Sequence, residues 1–415
     1  MLRKGWIVGL AVLVAWLCVS EAYAQRFQRL RDRQPGWRAQ QSERLERLDR
    51  LIAWRDSLDA RRRAAIGRRL ERLRGGALVL NRQILAIDPS PEALAKAQAL
   101  GFRIIRAREF GAVGLRLVVL RAPAKLPAQE ALAALQEADP LGSYELNHVF
   151  DPSWGEDAGP VPRGSVQAAD GRGLRIGMID TGVDASHPAL RKADLHLQAF
   201  GDDKLDPAPH GTAVASLLVG EDKDFRGGAI GASLYGADVF GESDTGGSAE
   251  EIVAALSWMA AQDVRVINIS LTGPQNRLLA AAVRRLAQQG RILVGAAGND
   301  GPAAPVAFPA AYEGMIAATA VDSEGRIYVA ANRGPQVRFA ALGVAVRAAA
   351  LGKGYANVSG TSFAAPQVAL ALARTQARAE AGGDASPEAC IALLAAKAED
   401  LGAPGRDEVF GYGRV

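Results

Sequence analysis

Leu174-Arg175-Ile176-Gly177-Met178-Ile179-Asp180-Thr181-Gly182-Val183 is the stretch that decides the fold. It is a short apolar run with no polar alternation, and it ends on a carboxylate before a glycine. Such a run reads as a strand buried on both faces. Working outward from it, short apolar runs alternate with helical ones from about Gly171 to the end of the chain. GTAVASLLVG, SLYGADVF, AEEIVAALSWMAAQ, RVINISL, RLLAAAVRRLAQQ, RILVGAAG and MIAATAV follow one another in that order. This alternation predicts an α/β domain over 171–415, a parallel sheet sandwiched by helices.

Upstream, residues 151–170 are rich in Gly, Pro, Asp and Ser and lack an apolar period, so 153–170 reads as a linker. Residues 77–152 alternate differently. ALVLNRQILAI is a strand; Pro89-Ser90-Pro91 opens the helix EALAKAQAL, which Gly101 ends. FRIIRARE and VGLRLVVLR are two strands around a Gly111–Gly114 turn. Pro127 opens the helix AQEALAALQEA, and SYELNHVF is a last strand. The order βαββαβ predicts a ferredoxin-like α+β unit with two helices on one face.

Charge is uneven along the 415 residues. Residues 26–74 hold sixteen Arg and seven acidic residues, a local excess of +9 in a chain whose total is +4. The globular remainder is therefore acidic, and a nucleic-acid partner is not expected. Leu45, Leu48, Leu51, Ile52, Leu58, Ile66, Leu70 and Leu73 recur at helical spacing, with a break expected near Arg61–Ala65. Residues 25–76 thus read as an Arg-rich helical arm. It is either a helix packed on the next domain or a membrane- or partner-binding element. Residues 1–24 read as a secretory signal: Arg3 and Lys4, an apolar run from Trp6 to Val19, then Ala22-Tyr23-Ala24. The run is shorter than the ~20 residues of a membrane-spanning helix. Removal of that segment takes away Cys18 and leaves Cys390, in EACIALLAAKA, as a small buried side chain with no internal disulfide partner.

Three segments of the α/β domain carry reactive residues where strands meet loops or helices. The first is Ile179-Asp180-Thr181-Gly182-Val183, and the second is His210-Gly211-Thr212-Ala213-Val214-Ala215-Ser216. The third is Ser359-Gly360-Thr361-Ser362-Phe363-Ala364-Ala365-Pro366. Taken singly, each has a plain structural explanation: a turn Asp, a helix start, a Ser N-cap before Pro. Among the four His, His148, His187 and His196 sit in contexts that read as structural, and His210 begins an apolar helix. No G-x-G-x-x-G follows a strand here, which excludes a dinucleotide fingerprint.

Together, in the order Asp, His, Ser, these segments resemble the three signatures of the subtilisin family. Ala296-Ala297-Gly298-Asn299 resembles that family's oxyanion-hole segment, and FGYGRV its end. The resemblance runs from about Arg175 to Val415. It implies a serine endopeptidase with Asp180, His210 and Ser362 as the triad and Asn299 as oxyanion donor. It also implies a substrate-binding edge at Ser270-Leu271-Thr272-Gly273, with Thr272 where the family usually has glycine. Asp300 falls at the rim of the pocket for the side chain before the cut, where an acid favours Arg or Lys. A second edge near Gly246-Gly247 is implied as well. No cofactor is required for catalysis. At the usual calcium position Ala189 replaces the ligand, and the loop Glu221-Asp222-Lys223-Asp224 reads as a solvated turn. The βαββαβ unit resembles the family's propeptide, an intramolecular inhibitor of a monomeric, secreted zymogen. Its cut is expected between Phe150 and Gly155, with a position after Arg163 as the competitor. A catalytically weak relative that acts by binding through its Arg-rich arm is the alternative.

Overall fold

The computed structural model describes residues 53–153, 165–201, 204–243 and 245–415. The segment 1–24, read as a secretory signal, and most of the Arg-rich arm lie outside these residues. The helical spacing of the arm does not run on to Leu73. Helix α1 covers residues 53–65 and stops, and strand β1 (Leu70–Arg72) follows. Leu70 is fully buried and pairs with Leu80, so its apolar side chain belongs to a sheet rather than a helix face.

The ferredoxin-like unit is formed as its alternation predicts: β2 (Leu78–Ile87), α2 (Pro91–Ala99), β3 (Arg103–Phe110), β4 (Leu115–Arg121), α3 (Ala128–Ala138) and β5 (Ser143–His148). β2 is flanked by β1, β4 and β5, all antiparallel. Ser90 caps α2 through Ala93 N–H, with Pro91 at its first turn. The sheet is buried on both sides, and the period of two sorts its residues. Ile84, Ala86, Val118, Leu120, Tyr144 and Leu146 pack with α2 and α3. Leu85, Ile87, Leu117 and Val119 pack into the core of the following domain.

The strand β6 (Asp151–Pro152) leads out of this unit, and a short strand, β7 (Ala169–Asp170), closes the linker. The α/β domain is a seven-stranded parallel sheet in the order β16-β15-β14-β12-β8-β11-β9. Its strands are β8 (Arg175–Asp180), β9 (Asp194–Ala199), β11 (Ser233–Asp238), β12 (Val266–Ile269), β14 (Ile292–Ala296), β15 (Met315–Val321) and β16 (Val337–Leu342). β10 (Ala229–Ile230) pairs with β7, outside the main sheet. On one face lie α5 (Ala249–Ala261) and α6 (Arg277–Gln288), whose apolar residues share a core with the outer face of the ferredoxin-like sheet. On the other lie α4 (Pro209–Val219) and α7 (Thr361–Glu380). Every residue of α4 is buried, as its all-round apolar sequence requires. Cys390, on α8 (Pro387–Ala395), is a buried member of the core beneath α7.

Candidate active site

Asp180 ends the central strand β8, His210 opens α4, and Ser362 is the second residue of α7. Placing reactive groups at the carboxyl ends of strands in an open α/β sheet is what this topology favours. Asp180 Oδ1 accepts from His210 Nδ1 at 2.7 Å and from Thr181 N–H at 2.7 Å. His210 Nε2 lies 3.0 Å from Ser362 Oγ. All three side chains are fully buried. Thr181 Oγ1 accepts from Gly211 N–H at 2.8 Å, which ties the start of α4 to the Asp180 turn. A side chain at position 211 would place its Cβ 2.1 Å from the Thr181 carbonyl oxygen, so only glycine allows this approach.

Asn299 follows β14. Its Oδ1 accepts from Thr361 N–H (3.0 Å) and Thr361 Oγ1 (3.1 Å), and this turns the amide N–H group toward the cleft. There it donates to the carbonyl oxygen of Ser153 at 3.1 Å and to Ser153 Oγ at 3.0 Å. Ser362 Oγ donates to the same carbonyl oxygen at 2.6 Å. The chain has therefore laid its own backbone in the cleft, with one carbonyl between the hydroxyl and the amide.

The strand that carries this carbonyl is β6. It pairs antiparallel with β13 (Leu271–Thr272), Pro152 opposite Leu271 and Asp151 opposite Thr272. Ser153 N–H donates to Ser270 O at 3.1 Å, and Phe150 N–H to Gly247 O at 2.8 Å. The edge 270–273 and the glycines 246–247 thus hold the segment from two sides. Ser270 contributes its backbone carbonyl. Its hydroxyl is turned inward, donating to Ser362 O and accepting from Asn268 Nδ2. Gly273 lies against the ring of Phe150, which is wholly buried. Thr272 and Asp300 line a cavity of about 290 Å³ beside Ser153, with Arg55, Leu58 and Asp59 of α1 on its other side. Asp300 Oδ2 accepts from Asn332 Nδ2 at 3.2 Å, and its N–H donates to Asn332 Oδ1. Ser153 and Arg55 both line this cavity with Asp300.

The other sequence candidates fall away from this centre. His187 is buried against Gly354 O, His196 stacks on Tyr235, and His148 lies at Asn276 on the α6 cap. In the acidic loop Asp222 is engaged by Tyr355 OH, and Glu221 faces Arg226. Among the described residues no cluster of three or more His, Cys, Asp or Glu is placed to hold a metal.

Sequence reasoning missed two features of the surroundings. Glu250 is buried at the start of α5 and binds Arg106, Arg108 and Asn147 of the ferredoxin-like unit. It sits in the first turn of an amphipathic helix, where an acid reads as a dipole partner. Arg62, on α1, reaches the cleft strand; it was one arginine among sixteen. Neither had a local signal, because each acts across more than 80 residues of sequence.

An Asp–His–Ser relay at the strand ends of a parallel α/β sheet, with an amide donor opposite the hydroxyl, defines a serine hydrolase class of site. Residues 171–413 match the family described as the subtilase family, Peptidase S8, and the chain belongs to it. It is 33% identical over 214 residues to subtilisin DY of Bacillus licheniformis, covering 50% of this chain and 78% of that protein. It is 29% identical over 250 residues to the minor extracellular protease Epr of Bacillus subtilis, covering 59% of this chain and 38% of Epr. It is 34% identical over 212 residues to a thermostable alkaline protease of Halalkalibacterium halodurans, covering 50% and 58% respectively. The match thus spans less than two thirds of the latter two. Fervidolysin from Fervidobacterium pennivorans has the same fold, with a TM-score of 0.68 at 20% identity over 83% of this chain and 61% of that one. That share is larger than the subtilase region alone.

Proposed function

We propose that the protein is a secreted serine endopeptidase made as a zymogen, and that it cuts its own precursor between Ser153 and Trp154. One observation carries this reading. The Ser153 carbonyl oxygen lies 2.6 Å from Ser362 Oγ and 3.1 Å from Asn299 Nδ2, at the end of the Asp180–His210–Ser362 relay.

The chemistry follows from these atoms. Ser362 Oγ attacks the carbonyl carbon while His210 Nε2 takes its proton. Asp180, desolvated and bonded to Nδ1, holds the imidazole in the required tautomer and stabilises the imidazolium. Charge then develops on the carbonyl oxygen, where the Asn299 amide is already aimed and Thr361 keeps it from turning. His210 returns the proton to the leaving amine, and water releases the acyl group by the same relay. Residues 77–153 act as propeptide: the ferredoxin-like sheet covers α5 and α6, and the tail 150–153 blocks the cleft. The apolar run before Ala22-Tyr23-Ala24 and the likeness to the minor extracellular protease Epr support export. Asp300 at the cleft rim favours a basic residue before the cut in foreign substrates.

Ser362→Ala tests the reading. The purified variant is expected to remain at precursor mass, whereas the wild type yields a chain beginning at Trp154. A fluorophosphonate is expected to label the wild-type peptidase domain and not the variant. A variant that still processes itself removes Ser362 from the mechanism, and a start at Gly164 moves the cut to the competing site.

A further inference from the structure

Arg62 does not belong to the ferredoxin-like unit or to the peptidase domain, yet its guanidinium lies in the cleft. Its side chain is 5% exposed. Nη2 donates to Phe150 O at 2.9 Å and to Gly246 O at 3.1 Å, and Nη1 is paired with the Asp151 carboxylate. The guanidinium faces the Phe240 ring, 5.9 Å from its centroid. Beside it Arg61 Nη1 donates to Glu242 O at 3.0 Å, and Leu58, one turn earlier, is buried with Phe150, Phe240 and Leu271. Helix α1 therefore places one side chain on three things at once: the carbonyl and carboxylate of the cleft strand, and the peptidase edge at Gly246.

The cleft strand needs such a hold. β6 is two residues long, and a ladder this short is marginal by itself. A strand held by so short a backbone pairing slips easily, and any slip changes which carbonyl meets the hydroxyl. A planar guanidinium that bridges two carbonyls and a carboxylate fixes direction as well as distance.

We infer that Arg62 is a positioning residue for the precursor's own cleavage: it locks the register of residues 150–153 in the cleft, so that the Ser153–Trp154 bond is the one presented to Ser362. The inference rests on the peptidase reading above. Arg62 acts through the cleft strand and touches none of the reacting atoms. It also departs with the propeptide, so released molecules that begin at the same residue are chemically identical whichever Arg62 variant they came from.

The experiment uses the full-length precursor as wild type, Arg62→Ala and Arg62→Lys. The rate of processing and the new N-termini are followed by intact mass. Arg62→Ala is expected to process about tenfold more slowly or worse, the size of a lost charge-assisted hydrogen-bond set, and to start at several residues around Trp154. Arg62→Lys keeps charge and stem but not the fork, and is expected to recover part of the rate and of the single start. Released molecules that begin at Trp154 are expected to share one kcat/KM on a peptide substrate, whichever precursor they came from. If Arg62→Ala processes at the wild-type rate to a single start at Trp154, the inference is overturned. Should Arg62→Ala fail to fold, Arg62→Lys decides. Wild-type rate and register with lysine would overturn the role of the fork, and a slowed, scattered cut would sustain it. If the wild type itself makes no cut and takes no fluorophosphonate, the peptidase reading fails first, and this inference with it.

Discussion

Gly273→Ala isolates the pocket that receives Phe150. The backbone at Gly273 is not in the left-handed region, so alanine fits the main chain. The new Cβ, however, would stand 2.4 Å from Phe150 Cδ1, 2.7 Å from Cγ and 2.8 Å from Cε1. Ordinary contact begins near 3.4 Å, so the ring or the strand has to retreat by about 1 Å in a packed site. Overpacking of this kind costs about 1–3 kcal/mol, roughly 5- to 150-fold in rate at 1.36 kcal/mol per decade. Once residues 77–153 have left, as proposed, the space is empty, so the processed variant should label with fluorophosphonate as the wild type does. The assay compares kcat/KM on two peptides, one with Phe-Asp-Pro-Ser before the cut and one with Ala-Asp-Pro-Ser. The wild type should prefer the first, and Gly273→Ala should lose that preference by the stated factor while keeping its rate on the second. A ratio that stays put, or a loss shared equally by both peptides, would refute the assignment of this pocket to the fourth residue before the cut.

Asn299→Ala should keep KM and lose about 10²–10³ in kcat, the size known for a side-chain oxyanion donor within this family; an unchanged kcat dismisses the amide. Glu250→Gln should weaken the hold of the cleaved propeptide, since Arg106 and Arg108 lose their buried acid; equal inhibition constants for the two enzymes would show that the pair contributes nothing. Burial holds the His148 imidazole below its ordinary value, and the Glu145 carboxylate pulls it back by a lesser amount. Docking therefore requires His148 to shed its proton. Inhibition should be constant above about pH 6.5 and weaken by up to about tenfold per unit as pH falls below it. A His148→Asn propeptide whose inhibition falls just as steeply would locate the titration elsewhere.

The elements that build the relay were legible because local chemistry specified them. The apolar run ending at Asp180, the small residues around His210 and the Gly360–Ser362 turn each state a backbone requirement in sequence. The βαββαβ unit was legible for a related reason: its strands and helices differ in period, and Pro and Gly mark their ends. The end of α1 was not. Leu70 and Leu73 continue a helical spacing, and only the partner strand at Leu78–Leu80 turns the first of them into a sheet residue. The seating of residues 150–153 was not legible either, because side-chain contacts that hold them come from far upstream, from Arg62 to Phe150 O and Asp151.

The seating of residues 150–153 also bears on when activity begins. If residues 77–153 act as the proposed inhibitor, then while the chain is intact they are present at an effective concentration on the order of millimolar, whatever the amount of protein. On that reading the first turnover would sever the tether and leave residues 150–153 as its product in the cleft. From then on the occupancy of the cleft depends on the volume around the molecule. Confined beside other copies, the two pieces keep finding each other; released into a larger space, they part. For an exported zymogen of the proposed kind, dilution would thereby be the clock of activation, and the enzyme would wake farthest from the cell that made it.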